Sequence, residues 1–520
     1  MEGGDMSTKE SSQPRLSRNI VLCSDGTGNR GGIGHGTNVW RLYKSIDRHG
    51  HKTKPTTTEQ VLFYDDGVGT EDLKLLRILG GFFGLGMSRN IRQLYTHLVR
   101  AYKPGDKIYL FGFSRGAYAV RVLASMICQC GVLNYEKADG IEKLEERVKV
   151  LQKLHLALSR AEPNEKETLE KELTDLQAEW CHESPEGHII KFIGVWDTVH
   201  AVGLPFKSVR EGLNKLFKFG FSNSVLNEKV EKACHALAID DQRLSFHPEM
   251  WDETDRHNIE QVWFCGVHAN VGGGYPKDSM SLISLDWMIG KAEEMGLRFQ
   301  TGKRDEFRRD GNVHTKLYDS RSGLGTYYRY SPRDIGDIAK MFNIDTPKIH
   351  ISALERISQV TSNYGPLNLP KKIEVVGTDD LHPLPNESDL ELTKLTKHIN
   401  DNSDQRMEIQ TEAKQIIKQR YQLYWLFFSA TVVLAWAVGI DNALYSALFG
   451  EWNGILSWAN ENPLMATLSA AILLGLFFQK NKLVAKLNEL GVKAWKTLMP
   501  IPNLASKTSK VTSTKHKEEA

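Results

Sequence analysis

Residues 108–121 read IYLFGFSRGAYAVR. An apolar run, Ile108–Phe111, feeds the glycine-bounded pentapeptide Gly112-Phe113-Ser114-Arg115-Gly116, and AYAVRVLASMI follows at once with helical spacing. A lone G-x-S-x-G is a weak signal in a chain with 43 glycines among 520 residues. Between a strand and a helix it predicts a nucleophile elbow instead of a simple helix cap. A serine strained at the top of a strand leaves no room for side chains two positions to either side, so Gly112 and Gly116 are expected supports. The helix start just beyond Ser114 directs amide N–H groups and the positive end of its dipole at the hydroxyl. The Arg115 N–H is the expected first oxyanion-hole donor.

Outward from the elbow, NIVLCS (19–24) and VLFYDDGVG (61–69) repeat the form of an apolar run ending in a turn, and SRNIRQLYTHLVRAY places Ile91, Leu94, Tyr95, Leu98 and Tyr102 on one helix face. This alternation predicts an α/β fold, a mostly parallel sheet covered on both sides, with helical insertions. Strand logic resumes at 188–203 and 259–276, followed by a helix from about Ser281 to Met295. Ahead of residue 188, Ile141, Leu144, Val148, Leu151, Leu158 and then Leu169, Leu173, Leu176 and Trp180 predict an inserted helical hairpin over 141–180. It reads as a packing accessory, with a lid or partner-docking coiled coil as the alternative. FKSVREGLNKLFKFGF (206–221) reads equally as an amphipathic surface helix or as cover for a lipid-accepting cleft.

A serine nucleophile needs a base and an orienting acid, in this fold in the chain order Ser, Asp or Glu, His. FIGVWDTV sets Asp197 just past one apolar run and VWFCGVHANVGGGY sets His268 just past another. His200 lies beside the proposed acid, and His235 and His247 are expected in helical or loop surroundings, so all three rank below His268. Gly272, Gly273 and Gly274 let the backbone pass close to the nucleophile turn or substrate. SDGTGN (24–29) offers the second oxyanion donor from Gly26 or Thr27, with Asp25 fixing the loop. GGFFGLGMSRN lacks the Gly-Lys-Ser/Thr ending of a phosphate loop, which excludes nucleotide binding there.

Composition bounds the rest. Hydrophobic residues make up 41%, charged residues 25%, and the net charge is +2, which points away from nucleic acid. Six irregularly spaced cysteines (Cys23, Cys128, Cys130, Cys181, Cys234, Cys265) with no C-x-x-C pair read as reduced and buried; neither metal nor cofactor is expected. Residues 1–18 are polar and read as a disordered lead-in without a secretory signal. Near the other end, YQLYWLFFSATVVLAWAVGI (421–440) carries no charge and is long enough to span a bilayer. PLMATLSAAILLGLFF (463–478) is a shorter second span; a buried helical hairpin of a soluble domain is the alternative for both. Lys414, Lys418 and Arg420 precede the pair and Lys480, Lys482 and Lys486 follow it, while the loop between holds Asp441, Glu451 and Glu461. The positive-inside rule then predicts a two-span protein with its large N-terminal region on the cytoplasmic face. The expected organisation is a catalytic domain over 19–385, a helical stalk over 386–420, two membrane helices over 421–478 and a basic cytoplasmic tail over 479–520.

LCSDGTGN, TNVWRLY, YDDGVGT, YKPGDKIYLFGFSRGAYAVRVLASMI, GVWDTV, ALAIDDQRLSFHP and VWFCGVHANVGGGY stand in the order seen in an α/β-hydrolase family that was once catalogued only as a domain of unknown function. The chain resembles that family, which includes type VI secretion phospholipase effectors, over roughly residues 19–290. The resemblance implies a hydrolase of phospholipid esters with Ser114 as nucleophile, Asp197 as acid and His268 as base, working through an acyl-serine. Two blocks depart from the family. His268-Ala269-Asn270 stands where His-Ser-Asp is common, and Gly28-Asn29 stands where Trp-Asn often follows Gly-Thr. The first could alter a hydrogen bond supporting the glycine loop or the histidine; the second could reshape the oxyanion loop. The expected substrate is a membrane phospholipid, with self-association or a regulatory partner protein as further expectations. An antibacterial effector delivered into rival cells and a defence effector turned on the host's own membrane are the two expected roles for such an enzyme. The contrary reading is a catalytically weak pseudo-hydrolase used as a membrane scaffold.

Overall fold

The computed structural model describes residues 16–26, 34–54, 56–66, 83–184, 187–199, 224–254, 256–378, 388–439, 452–496 and 498. Eight strands form one parallel sheet: β1 Asn19–Ser24, β2 Gln60–Asp65, β3 Lys107–Phe113, β4 Ile190–Trp196, β5 Val230–Ala238, β6 Ile259–Phe264, β7 Lys348–His350 and β8 Glu374–Val376. Their spatial order is β2-β1-β3-β4-β5-β6-β7-β8. All pairings are parallel, so the chain must cross over through helices between neighbours. This is the expected α/β class. Direction of travel reverses between β1 and β3, and in such sheets ligands bind beyond the carboxyl ends of the strands at that switch point.

Alternation along the strands sorts the core into two layers. Ile20, Leu22, Ile108 and Leu110 face α2 (Phe83–Ala101) and α3 (Arg115–Cys130). Val21, Cys23, Tyr109 and Phe111 face α1 (Asn38–Ser45) and α7 (Ser281–Glu294), the helix that follows β6 and its loop. Because both faces are covered, the central strands β1 and β3 read as nearly unbroken apolar runs. The predicted hairpin is present as α4 (Ile141–Leu158) and α5 (Pro163–Trp180). Leu144, Val148, Leu151, Leu154 and Leu158 turn inward onto the first layer; Ile141, placed on the same stripe from sequence, is exposed. His235 is a correction: it sits fully buried in β5, not in a helix or loop. All six cysteines are buried and free.

A third cluster lies at the β6–β8 edge. It joins α8 (Ile335–Met341) and α9 (Asp389–Asp401) to the inner ends of two long helices, α10 (Asp404–Val438) and α12 (Pro463–Lys496). Ile409, Ala413, Ile416, Leu483, Leu490, Ala494 and Trp495 are buried there. Beyond Tyr424 and before Gln479 the same helices expose Leu426, Val432, Val433, Trp436, Leu468, Ile472, Leu474, Phe477 and Phe478. Both helices are long and apolar enough to cross a membrane, and their apolar windows are 11% and 0% buried. The boundaries drawn from hydropathy differ from the helical ones. The stretch read as a stalk is α9 plus the first turns of α10, which runs on without a break into the stretch read as the first span, and the segment read as a basic tail begins as the last turns of α12, docked on the domain through Trp495. Residues 1–15, 206–221 and 499–520 lie outside the described residues.

Candidate active site

Four strand ends converge at the switch point. Ser114 follows β3, Asp197 follows β4, Asp25 follows β1, and His268 opens the short helix α6 (His268–Gly272) shortly after β6. Ser114 has φ 59° and ψ −120°, a left-handed conformation rare for a residue with a Cβ. Its N–H donates to the Trp196 carbonyl at 3.0 Å, which ties the elbow to the end of β4. Asp197 is also at positive φ, 37°, and its N–H donates to the Ala236 carbonyl at 2.8 Å. Two strained residues on adjacent strand ends persist only because the surrounding sheet over-determines them.

The elbow glycines have steric grounds. A Cβ on Gly116 would stand 2.2 Å from the Ser24 carbonyl oxygen and 2.4 Å from that of Asp25. A Cβ on Gly112 would stand 2.7 Å from Ala117 backbone atoms, and one on Gly272 would enter the Phe113 ring. Gly273 has φ +85°, and its backbone runs against Thr37 and Asn38. The collision at Gly116 is with backbone, which cannot swing away. Gly116→Ala is therefore expected to lower stability by about 1–3 kcal/mol, seen as a lower thermal midpoint of the detergent-solubilised chain.

His268 Nδ1 lies 2.6 Å from Asp197 Oδ2, and its ring stands between Phe113 (centroids 4.6 Å apart) and Phe246 (4.9 Å, edge to face). The His268 N–H donates to Asp241 Oδ2 at 3.2 Å. Burial pushes the imidazole pKa below its usual value, outweighing the hydrogen bond and charge of Asp197, which raise it. A ring held this way is neutral at neutral pH, with the proton on the nitrogen facing Asp197. Among the described residues Ser114 Oγ makes no hydrogen bond to Nε2, a looseness common without substrate.

Asp197 is fully buried and its two oxygens are saturated. Oδ1 accepts from Ala238 N at 2.9 Å and from an Arg333 guanidinium nitrogen at 2.7 Å; Oδ2 accepts from His268 and from a second Arg333 nitrogen at 2.9 Å. Burial alone would raise this carboxyl, but the Arg333 charge and the hydrogen bonds hold it well below the carboxylate range. Arg333 was not legible in the sequence, since no local pattern marks an arginine 136 residues from its partner. The only available signal was general: a buried carboxylate needs a counter-charge.

The first-strand loop differs from expectation in one respect. Asp25 does fix it, accepting from Thr37 Oγ1 at 2.5 Å and Tyr64 Oη at 2.6 Å. It also accepts the Gly26 N–H at 2.6 Å, so the amide expected to serve the oxyanion is engaged by its neighbour's carboxylate. Thr27, Gly28, Asn29 and His200 lie outside the described residues. Arg115 N–H is in the first turn of α3, at the helix end that faces the elbow.

Asn270 is fully buried and satisfied as an amide. Its Nδ2 donates to the Lys316 carbonyl at 3.1 Å, and its Oδ1 accepts from Tyr318 N at 3.2 Å and Val267 N at 3.4 Å. A carboxylate here would meet the Lys316 carbonyl with no proton to give. The departure from His-Ser-Asp is thus matched by its surroundings, and it leaves the His268–Asp197 contact intact.

Residues 18–291 match a family described as the type VI secretion system (T6SS) phospholipase effector Tle1-like catalytic domain. The chain is similar to the uncharacterized protein YEL023C of Saccharomyces cerevisiae, with 29% identity over 260 residues, 47% of this chain and 34% of the yeast protein. The match thus spans about a third of that relative's length. Two solved structures are similar. One is an uncharacterized protein from Pseudomonas aeruginosa, 16% identical with a TM-score of 0.29, covering 60% of this chain and 50% of that one. The other is the Tle1 effector bound to the VgrG spike of the type VI secretion system, 15% identical with a TM-score of 0.33, covering 63% and 82%.

Proposed function

The chain belongs to the Tle1-like catalytic-domain family of type VI secretion phospholipase effectors, and we propose that it is a serine hydrolase cleaving acyl ester bonds of membrane phospholipids. The observation that carries this reading is the geometry around Ser114: a strained serine at a strand-to-helix elbow, one strand from a buried His268–Asp197 pair. In the proposed reaction His268 Nε2 takes the Ser114 proton as Oγ attacks the ester carbonyl. The oxyanion is met by the Arg115 N–H and by an amide of the loop after β1, for which Thr27 remains the proposed donor. Collapse of the tetrahedral species expels the lysophospholipid alkoxide, which takes the proton from His268. Water, activated by the same nitrogen, then releases the fatty acid from the acyl-serine. Asp197 keeps the imidazole in the tautomer that leaves Nε2 free to accept.

The membrane reading belongs to the same proposal. The apolar halves of α10 and α12 are exposed, which disfavours a core hairpin and fits two spans with the catalytic domain at their shared inner end. Lys414, Lys418 and Arg420 on one side and Lys480, Lys482 and Lys486 on the other favour a cytoplasmic placement of that end. A domain so anchored meets its substrate at the bilayer surface. Mass spectrometry of mixed phospholipid vesicles incubated with the full chain is the test. Free fatty acid and lysophospholipid appearing in equal amounts are expected; intact phospholipid throughout would overturn the reading.

A further inference from the structure

Arg333 comes from outside the family-matched residues, which end at 291. It is fully buried and grips Asp197 with both arms of its guanidinium, at 2.7 and 2.9 Å, while donating also to the Ala238 and Phe246 carbonyls. It is carried by a strap, residues 327–334, that leads into α8. On the inner side the strap is pinned to the domain: Leu244 N donates to the Arg329 carbonyl at 3.0 Å and Ser331 N to the Gln242 carbonyl at 2.8 Å.

On its outer side the strap is held by α10, at the turns where that helix leaves the domain. Tyr421 Oη accepts from Arg329 at 2.8 Å, and Tyr424 Oη donates to the Tyr327 carbonyl at 3.0 Å. The Phe427 ring meets the Tyr327 ring with centroids 5.6 Å apart, and the Arg420 guanidinium lies 4.3 Å over the Tyr330 ring. Residues 420, 421, 424 and 427 share one helix face, so a single surface of α10 makes all four contacts. Behind Arg333 a cavity of about 960 Å³ opens between the strap and the inner ends of α10 and α12, bordered by Tyr330, Lys414 and Arg420. The strap is therefore backed by open space there, and on that side the α10 contacts are what hold it.

We propose that Arg333 is a positioning residue for the Ser114–His268–Asp197 set, presented to Asp197 by a strap that the first membrane helix holds in place. The inference rests on the proposed function. A two-armed grip fixes the carboxylate in rotation as well as in charge, and a carboxylate so fixed aims the imidazole. The groups facing this pair are Asp241, ion-paired with Arg243 beside His268, His235 on β5, which burial keeps neutral, and Asp240, whose carboxyl burial pushes up to about 6 and which also feels the Arg333 charge. None replaces the Arg333 charge on Asp197. Without that charge the Asp197–His268 pair binds a proton at higher pH, whichever of the two holds it.

The test is the rate at which a fluorophosphonate modifies Ser114, followed from acid to alkaline pH on the full chain in phospholipid nanodiscs. Arg333→Gln is expected to slow the reaction roughly 10-fold to 100-fold at neutral pH and to move its acidic limb to higher pH. Arg333→Lys returns the charge without the fork; it is expected to restore the limb and part of the rate. Tyr421→Phe with Tyr424→Phe, far from the reacting atoms, is expected to shift both in the same direction by a smaller amount, and it carries the test should Arg333→Gln not fold. A folded Arg333→Gln with wild-type rate and limb would overturn the positioning role. So would a slowed one whose limb is unmoved and which lysine does not rescue. An unaltered double tyrosine variant would overturn the part assigned to α10. Wild-type chain that is never modified at Ser114 would instead overturn the proposed function.

Discussion

Ser114→Ala abolishes ester hydrolysis and leaves the fold in place: the expected fall in kcat is about 10⁶-fold. The size follows from the division of labour. The hydroxyl is the only part of the proposed machinery that forms a covalent bond, so without it His268 and Asp197 have nothing to activate. Stability is expected to hold because the Oγ makes no hydrogen bond among the described residues, and alanine keeps the same Cβ at φ 59°. The β3–α3 junction is fixed by backbone, through Ser114 N on Trp196 and through the close approach of Gly116 to β1. Fatty-acid release from phospholipid vesicles, with a thermal midpoint matching wild type, checks both halves. Hydrolysis persisting in Ser114→Ala would remove the elbow from the mechanism, whereas a wild type equally unable to release fatty acid would leave the pseudo-hydrolase reading standing.

The elements legible in sequence are those whose signal is local. β1 and β3 are apolar runs closed by glycine turns, and α2 repeats its buried face every three to four residues. β5 escaped because VEKACHALA mixes charge with small residues and offers one β-branched side chain; it becomes a strand by lying between β4 and β6. β7, three residues long, is too short for any period to show. The candidate site divides in the same way. Ser114, Asp197 and His268 each stand at the end of an apolar run, so position along the chain gave them away. Arg333 acts across the fold, and the Gly26 amide turns back to Asp25 by a local rotation that residue types do not encode. The helix boundaries teach a related point. Hydropathy changes near 421 and 478 because the surroundings change there, while backbone hydrogen bonding carries both helices straight through.

Asp197→Asn is expected to lose most activity, though less than Ser114→Ala, and to lose stability as well, and the contrast tests the buried cluster directly. An asparagine amide keeps the shape but turns a donor toward His268 or loses one of its acceptors, so the imidazole settles in the tautomer that leaves Nε2 protonated; the expected loss in kcat is about 10⁴-fold. The same change leaves the Arg333 guanidinium fully buried without its counter-charge. Breaking one side of a buried pair costs about 3–5 kcal/mol, so the thermal midpoint falls well below that of Ser114→Ala. The difference has a pH signature. The folded-state pKa of Asp197 is depressed, so its contribution is complete above the ordinary carboxylate value of about 3.9 and declines as pH drops through the folded value. Wild type should therefore exceed Asp197→Asn by a constant margin at neutral pH, and the margin should narrow only in strong acid. Equal midpoints for the two variants at neutral pH would mean that Arg333 finds other acceptors as good as the carboxylate. In that case the Ala238 and Phe246 carbonyls, not Asp197, would be what holds the strap against the sheet.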